Sequence, residues 1–342
     1  MVKNGMLKPG ILLDSKGRLE QRGWAPRPVL EYSRKAIKAA PWRIKEWDFY
    51  QVATDDYILQ LTIGDLSYVG NIAASLIDLR TGKFYTQGKN VPLPFGRLEL
   101  PASAETGNVC YKAKGIEMSF EVKGNKRYLS CRWDNFLNGQ AFDTNVELTT
   151  VGDDSLVIAT PYDDDPKAFY YNQKINCMKA QGYVKIGNDV YDFTPDKAFG
   201  LLDWGRGVWT FSNTWYWSNG SALVDGIPFG FNLGYGFGDT SAASENVLFY
   251  DGRAHKISQV SFGMPVIGEN LMQRWHFTSD DGRFDMEFEP VYDRFTHNAV
   301  LFLQMSCHQV FGRFTGRAVL DDGRVIEVRD MTAFAERSIN RW

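Results

Sequence analysis

Cysteine, histidine and an excess of either charge are scarce in this 342-residue chain. Its four cysteines and four histidines lack the short spacing of a zinc site or of a disulfide framework. Basic and acidic residues nearly balance, 38 against 41, so the charged surface typical of nucleic-acid binding is missing. No run of about 18 apolar residues is present to span a membrane. We therefore expect no metal, no nucleic acid and no membrane span.

Targeting and cofactor-binding patterns are also missing. The longest apolar stretch near the N-terminus, Ile11–Leu13, is too short for a signal peptide, which predicts a cytoplasmic protein. Reduced, mostly buried cysteines are expected, with a bridge between Cys110 and Cys131 as the alternative. There is no G-x-S-x-G, H-E-x-x-H or phosphate-binding loop. The glycine-rich segment 234–238 lacks the spacing of a dinucleotide loop and is interpreted as strand glycines, so no cofactor is predicted.

Aromatic residues and turn signals, by contrast, are abundant. Aromatics make up 14% of the chain, and clean alternation occurs at Ile116–Val122 and Phe284–Glu289. Asp-Gly and Asn-containing turns separate such segments at hairpin spacing. Helix signals are limited to residues 33–45, which Pro41 interrupts, and to a turn or two within 166–179. This pattern predicts an all-β fold of antiparallel hairpins with few short helices.

The two halves of the chain share the order and spacing of these signals. Trp47 matches Trp215, and Ile116–Glu121 matches Phe284–Glu289, at one common offset. We interpret this as an internal duplication that gives two tandem antiparallel β-barrels or half-barrels, in residues 1–180 and 181–342. Chance similarity between alternating strands is the alternative. A small ligand would fit inside either barrel or in the crevice between them.

Tryptophan is concentrated directly after Asp203, at Trp204, Trp209, Trp215 and Trp217. On a strand, Trp215 and Trp217 would point to the same face. Arg206 is close enough in sequence to pair with Asp203 through a turn. One interpretation is a buried Asp–Arg brace. The other is a carboxyl group whose pKa is raised by the apolar indole walls, so that it can donate a proton near neutral pH.

Two further clusters could complete an acid–base pair with Asp203. Glu245 and Asn246 precede an apolar strand, either as a solvated loop end or with Glu245 as the partner carboxylate. His308 shares a strand face with Val310, either as a core imidazole or as a base with a pKa near neutrality. The candidate catalytic residues are thus Asp203, Glu245 and His308. The candidate substrate-binding residues are Arg206, Trp209, Trp215, Trp217, Asn246 and Gln309.

At these residues the chain resembles the bacterial family named domain of unknown function 2804. The similar segments are Asp203-Trp204-Gly205-Arg206-Gly207-Val208-Trp209 with Trp215 and Trp217, Glu245-Asn246, His308–Arg313, Leu12-Leu13-Asp14, Arg22-Gly23-Trp24 and Trp47–Tyr50. More distantly, the duplicated barrel resembles the two-domain lipocalin-like group, which includes carotenoid hydratases, tocopherol cyclases and fungal Diels–Alder cyclases. The resemblance implies chemistry on apolar, polyene-like substrates without a redox cofactor. It transfers no catalytic residue to this sequence, because fold does not imply function.

Three functions are compatible with these residues. The first is a cofactor-free hydratase, lyase or isomerase that acts on an apolar or amphipathic small molecule in an aromatic-lined cavity. The second is a glycoside hydrolase, which would place paired carboxylates on either side of an open groove. The third is a lipid or pigment carrier without catalysis, which would have no carboxylate facing its cavity. The sequence predicts a small-molecule ligand in each case and leaves the oligomeric state open.

Overall fold

The structure, a computed structural model, describes residues 5–300 and 303–341. These residues contain no α-helix, and two 3₁₀ turns, Arg34–Ala36 and Pro41–Arg43, occupy the segment predicted to be helical over 33–45. No helix among the described residues is long and apolar enough to cross a membrane. The predicted helical turns within 166–179 are wrong, because most of this segment belongs to the long strand Phe169–Ile186. Its side chains alternate between two buried faces, and two-sided burial hides the period-two pattern.

Fifteen strands precede the change from one half of the chain to the other. They are β1 (Gly10–Ile11), β2 (Gly23–Ala25), β3 (Leu30–Glu31), β4 (Ile44–Ala53), β5 (Tyr57–Asp65), β6 (Val69–Asp78), β7 (Lys83–Pro92), β8 (Val109–Ala113), β9 (Ile116–Lys123), β10 (Lys126–Leu137), β11 (Gln140–Thr149), β12 (Leu156–Pro161), β13 (Phe169–Ile186), β14 (Asp189–Phe193) and β15 (Phe199–Val208). Strands β1 and β3 form a small parallel sheet, and the others form one 13-stranded sheet.

Nine strands form the second large sheet. They are β16 (Ser212–Val224), β17 (Ile227–Tyr235), β18 (Val247–Tyr250), β19 (Arg253–Lys256), β20 (Val260–Ser261), β21 (Trp275–Ser279), β22 (Phe284–Val300), β23 (Leu303–Val319) and β24 (Val325–Arg341). The predicted all-β fold of two tandem antiparallel half-barrels is therefore confirmed. The chain passes from the first half-barrel to the second between Val208 and Ser212. The predicted division between residues 180 and 181 falls inside β13, which pairs with β11, β12, β14 and β15.

The two large sheets follow the same strand order. Strands β4 to β7 form a meander that joins the rest of its sheet through β15, and β16 to β19 form a meander that joins through β24. Trp47 in β4 and Trp215 in β16 thus occupy corresponding strands. Ile116–Glu121 and Phe284–Glu289 do not, because β9 is the fifth strand from β4 and β22 is the third from β16. Their match reflects alternation shared by many strands.

Alternation along β15 separates the first interior from the face that meets the second half-barrel. Leu202 and Trp204 point into the apolar interior of the first sheet. Leu201 points outward and packs with Trp217 of the second half. Asp203 lies on this outward face, because its side chain alternates with Trp204. The strand therefore places one carboxyl group at the interface between the half-barrels.

Candidate functional site

A buried lysine, Lys174 of β13, lies at the centre of the interface between the half-barrels. Its Nζ is 2.9 Å from Oδ1 of Asp203, which is its cross-strand neighbour on β15. The same Nζ is 3.5 Å from Oε2 of Glu245 in the second half. It also lies 4.3 Å from the centroid of the Trp217 ring. One ammonium group thus joins the carboxyl groups of Asp203 and Glu245, which the structure brings together. We call Lys174, Asp203 and Glu245 the lysine centre.

Asp203 is surrounded by hydrogen-bond donors. Its Oδ1 accepts hydrogen bonds from Nδ2 of Asn172 at 2.5 Å and from Nζ of Lys174 at 2.9 Å. Its Oδ2 accepts one from Nε1 of Trp47 at 3.1 Å. Asn172 and Lys174 share the outward face of β13 because they are two residues apart on a strand. The protein therefore supplies the polar partners that water would give this carboxylate.

Arg206 lies on the opposite face of β15, and the expected Asp203–Arg206 pair is wrong. Its Nη2 is 2.8 Å from Oδ1 of Asp48, and its Nη1 is 2.7 Å from the carbonyl oxygen of Trp47. The segment that was expected to turn is an extended strand, so residues three apart point in opposite directions. Arg206 consequently braces the interior of the first half-barrel and is separated from the lysine centre by the sheet.

Glu245 is buried at the end of the loop that follows β17. Burial raises the pKa of its carboxyl group above the usual value, the charge of Asp203 raises it further, and Lys174 opposes both effects. The next residue, Asn246, uses both ends of its amide on backbone groups, accepting from the Gly234 N–H and donating to the Ser258 carbonyl. Asn246 therefore anchors the loop, and Glu245 is the group that can hold a proton beside Lys174.

Glu336 of β24 is a third carboxyl group at this interface, and the sequence interpretation assigned it no chemistry. Its Oε1 accepts a hydrogen bond from Nε1 of Trp215 at 2.7 Å, and its Oε2 accepts one from Nε2 of Gln309 at 3.1 Å. Burial raises its pKa, and the negative charge of Asp203 adds to that rise. The sequence feature that could have indicated a buried carboxyl group is the position of Glu336 directly after the apolar residues 333–335.

The alternation of β23 separates His308 from Gln309. Gln309 faces the interface, where it accepts a hydrogen bond from Gln60 at 2.9 Å and donates to Glu336. His308 points to the other face, where its Nδ1 is 2.9 Å from Asp293 and its ring stacks on Phe295. The structure therefore brings Gln309, and not His308, to the carboxyl cluster.

Aromatic side chains flank the lysine centre on two sides, and Trp215 and Trp217 share one face as predicted. Trp217 packs with Phe334 on one side. On the other side Trp47 lies 4.7 Å from Trp209, between ring centroids. A cavity of about 10 Å³ beside the site, lined by Leu201, Asn219 and neighbouring residues, has room for about one water molecule. The aromatic side chains that the sequence suggested as cavity walls pack directly against one another here.

The Trp47 indole depends on the absence of a side chain at Gly205. A Cβ atom at Gly205 would lie 2.1 Å from Cζ2 of Trp47, well inside van der Waals contact. We expect Gly205→Ala to destabilise the fold by about 1–3 kcal/mol and to weaken the hydrogen bond from Trp47 to Asp203. Urea denaturation measures the loss. Gly88→Ala, where a Cβ meets nothing within 4 Å, is the matched control, and equal effects of the two variants would contradict the expectation.

The raised pKa of Glu336 predicts a specific pH dependence. Its folded pKa lies above its unfolded value, so the wild-type protein loses stability as the pH rises from about 4.3, the usual value for glutamate. Glu336→Gln removes this term, so we expect the variant to gain stability relative to wild type as the pH rises. Urea denaturation at a series of pH values tests this. Glu327→Gln on the exposed face of β24 is the control, and parallel pH curves for wild type and Glu336→Gln would refute it.

The sequence as a whole matches one protein family. The family model described as "Domain of unknown function (DUF2804)" matches residues 3–342. The chain belongs to this family. No curated protein sequence gives a significant match to this DUF2804 chain.

Solved structures show the fold to which the DUF2804 chain is similar. CghA crystallised with Sch210972 has a TM-score of 0.58 at 11% identity, over 96% of this chain and 98% of CghA. A candidate AttH from Nitrosomonas europaea has a TM-score of 0.54 at 14% identity, over 91% and 97% of the two chains. Kievitone hydratase from Nectria haematococca has a TM-score of 0.50 at 9% identity, over 97% and 98%. The DUF2804 chain therefore shares the two-domain lipocalin-like fold.

Proposed function

We propose that the protein is a cofactor-free enzyme that performs acid–base chemistry, of the hydratase, lyase or isomerase type, on an apolar or amphipathic small molecule between its half-barrels. The observation that carries the proposal is the centre at Lys174, where one ammonium contacts Asp203 and Glu245 with Glu336 close by. The three carboxyl groups interact with the cations of Lys174, Lys256 and Arg294, and burying so many charged groups together costs stability. Enclosed groups with shifted pKa values are more frequent at functional sites than elsewhere.

The contacts divide the roles between the two carboxyl groups at Lys174. Asp203 accepts hydrogen bonds from three donors and balances the charge of the ammonium. Glu245 lies farther from Nζ, at 3.5 Å, and its raised pKa favours the protonated form. Glu245 would therefore donate a proton to the substrate, as a general acid near its working pH. Indole faces beside it would stabilise a developing positive charge by about 0.5–2 kcal/mol.

The enclosure of the site favours this function over the glycoside hydrolase. A hydrolase needs two carboxyl groups that flank a groove wide enough for a sugar chain. Here both lie within 3.5 Å of one Nζ, and packed aromatic rings surround them. The carrier predicts a pocket without carboxyl groups. Two of the similar structures, a hydratase and a protein crystallised with a small molecule, support the proposal at the level of the fold.

The test uses whatever small molecule the protein retains. Native mass spectrometry of the purified protein identifies a bound ligand, and an apolar extract of the expression host supplies candidates if none is retained. Incubation in D₂O or H₂¹⁸O then shows by mass spectrometry whether solvent atoms enter the molecule. We expect isotope incorporation with wild type and a strong loss with Asp203→Asn. A ligand that is released unchanged, and that Asp203→Asn binds as tightly as wild type, would identify a carrier.

A further inference from the structure

Phe237 occupies the centre of an aromatic cage next to the lysine centre. Its side chain is 5% exposed and meets four other rings at steep angles. The ring centroids of Tyr162, Tyr170, Trp209 and Trp215, which we call the cage, lie 5.7, 4.8, 5.0 and 5.2 Å from that of Phe237. Edge-to-face contacts at these distances are favourable for aromatic pairs. The cage therefore encloses a space of the size of one planar ring, which the side chain of Phe237 fills.

Phe237 enters the cage from a loop and not from a strand. Strand β17 ends at Tyr235, and the residues on either side of Phe237, Gly236 and Gly238, have φ of +87° and +71°. Residues with a Cβ atom rarely adopt such backbone angles, whereas glycine does so at little cost in free energy. Gly236 is exposed to solvent. The phenyl ring is thus carried by a loop residue between two glycines of positive φ, the first of which is exposed.

The cage also contains a polar group that lacks a partner. The hydroxyl oxygen of Tyr162 is buried and makes no hydrogen bond, which costs about 1–3 kcal/mol. Burial and the nearby charge of Glu245 both raise its pKa, so the hydroxyl stays protonated. A phenyl ring such as that of Phe237 offers it no oxygen. A ligand ring that carries a hydroxyl or carbonyl oxygen would satisfy it.

Two indole N–H groups link the cage to Asp203 and to Glu336. Trp47 stacks on Tyr170 with 5.8 Å between centroids, and its Nε1 donates to Asp203. Trp215 donates to Glu336. Phe237 and Glu245 belong to the same loop, residues 236–246 between β17 and β18, so displacement of the ring would be coupled to the proposed acid.

We propose that the cage is a substrate subsite for a planar aromatic or conjugated ring bearing an oxygen substituent, and that Phe237 is a plug which the substrate displaces. This proposal rests on the proposed function, because it makes Glu245 the acid that acts on the bound molecule. It goes beyond that function by naming the ring, its oxygen and the side chain that makes way. Wild type binds such a ring weakly, since the plug must leave first, and a shorter residue at position 237 removes that cost.

The experiment is calorimetric titration of two probes, phenol and benzene, into wild type, Phe237→Ala and Phe237→Leu. We expect Phe237→Ala to bind phenol about 10- to 100-fold more tightly than wild type does, the factor that corresponds to the burial of one large apolar side chain. Phe237→Leu should lie between the two and covers the case in which the alanine variant fails to fold. Phenol should bind about tenfold more tightly than benzene, and Tyr162→Phe in the Phe237→Ala background should abolish that preference.

Phe314→Ala is the matched control, because it removes the same atoms from the core of the second half-barrel. Equal affinity of Phe314→Ala and Phe237→Ala would overturn the subsite, and so would the absence of binding to both Phe237 variants. Binding needs no turnover, so the subsite and the proposed function fail separately. Tight binding with no effect of Glu245→Gln on turnover would remove the acid and keep the cage. If neither Phe237 variant binds the probes but Glu245→Gln strongly reduces turnover, the subsite is wrong and Glu245 remains the acid.

Discussion

Glu245→Gln is expected to reduce kcat/KM by about 10²- to 10⁴-fold, the range for loss of a general acid. Glutamine keeps the size of the side chain and a carbonyl oxygen facing Lys174, but it has no acidic proton. The expected fall is in kcat and kcat/KM together, because proton transfer belongs to the transition state. The limb of the pH–rate profile that reports the acid should also disappear.

The stability of the same variant separates a catalytic role from a structural one. The raised pKa of Glu245 means that wild type loses stability as the pH rises above about 4.3, so the glutamine variant should be at least as stable near pH 8. Urea denaturation gives this comparison. Glu287→Gln, on the exposed face of β22, controls for the loss of one negative charge. Unchanged turnover and an unchanged pH profile in Glu245→Gln would eliminate Glu245 as the acid.

Lys174→Met should cause the largest loss of stability in the chain outside its apolar cores. Removal of one partner from a buried ion pair costs about 3–5 kcal/mol, because the remaining charges stay buried without compensation. Here Asp203 and Glu245 would face each other with no cation between them. Methionine fills most of the volume of the lysine stem, so packing changes little. We expect the free energy of unfolding to fall by this amount near pH 7.

The pH dependence of this loss identifies its cause. In the variant Lys174 no longer opposes the effect of burial on Glu245, so the pKa of that carboxyl group rises further. The deficit should therefore shrink as the pH falls toward about 4. In wild type, the charges of Asp203 and Glu245 outweigh burial and raise the pKa of Lys174. Its contribution is therefore present below about pH 10.4 and is lost as the pH rises through the folded value. Lys179→Met, on the exposed part of β13, is the control, and a deficit that is equal at pH 4 and pH 8 would exclude an electrostatic cause.

The sequence predicted the all-β fold because strands and hairpin turns are specified by residues that are close together in the chain. Alternation in Ile116–Val122 and the Asp-Gly turns specify strands and hairpins whatever the strand order is. The same reasoning correctly placed Trp215 and Trp217 on one face. It also gave Glu245 as a candidate partner of Asp203, because Asp203 lies in a tryptophan-rich segment and Glu245 precedes an apolar strand.

The failures arose where the answer depends on which strands pair. Lys174 faces Asp203 only because β13 and β15 are adjacent in a particular register, which spacing along the chain does not reveal. Its strand is buried on both faces, so it was interpreted as partly helical. The expectation that Arg206 forms an ion pair with Asp203 depends on a turn between them, whereas the segment is an extended strand. Glu336 reaches the interface from the last strand, 121 residues from its hydrogen-bond donor Trp215.

The ammonium group of Lys174, shared between the half-barrels, also limits how far the two half-barrels can move apart. A wide hinge-like separation of the half-barrels would pull Glu245 away from Lys174. It would also expose to water the aromatic clusters on either side of Lys174. Small guests should accordingly be admitted by a local shift at the rim while the two bodies remain docked. A few residues near the surface would then control the entry and release of a small molecule. The rates of binding and release should be fast for narrow, flat molecules and slow for bulky ones.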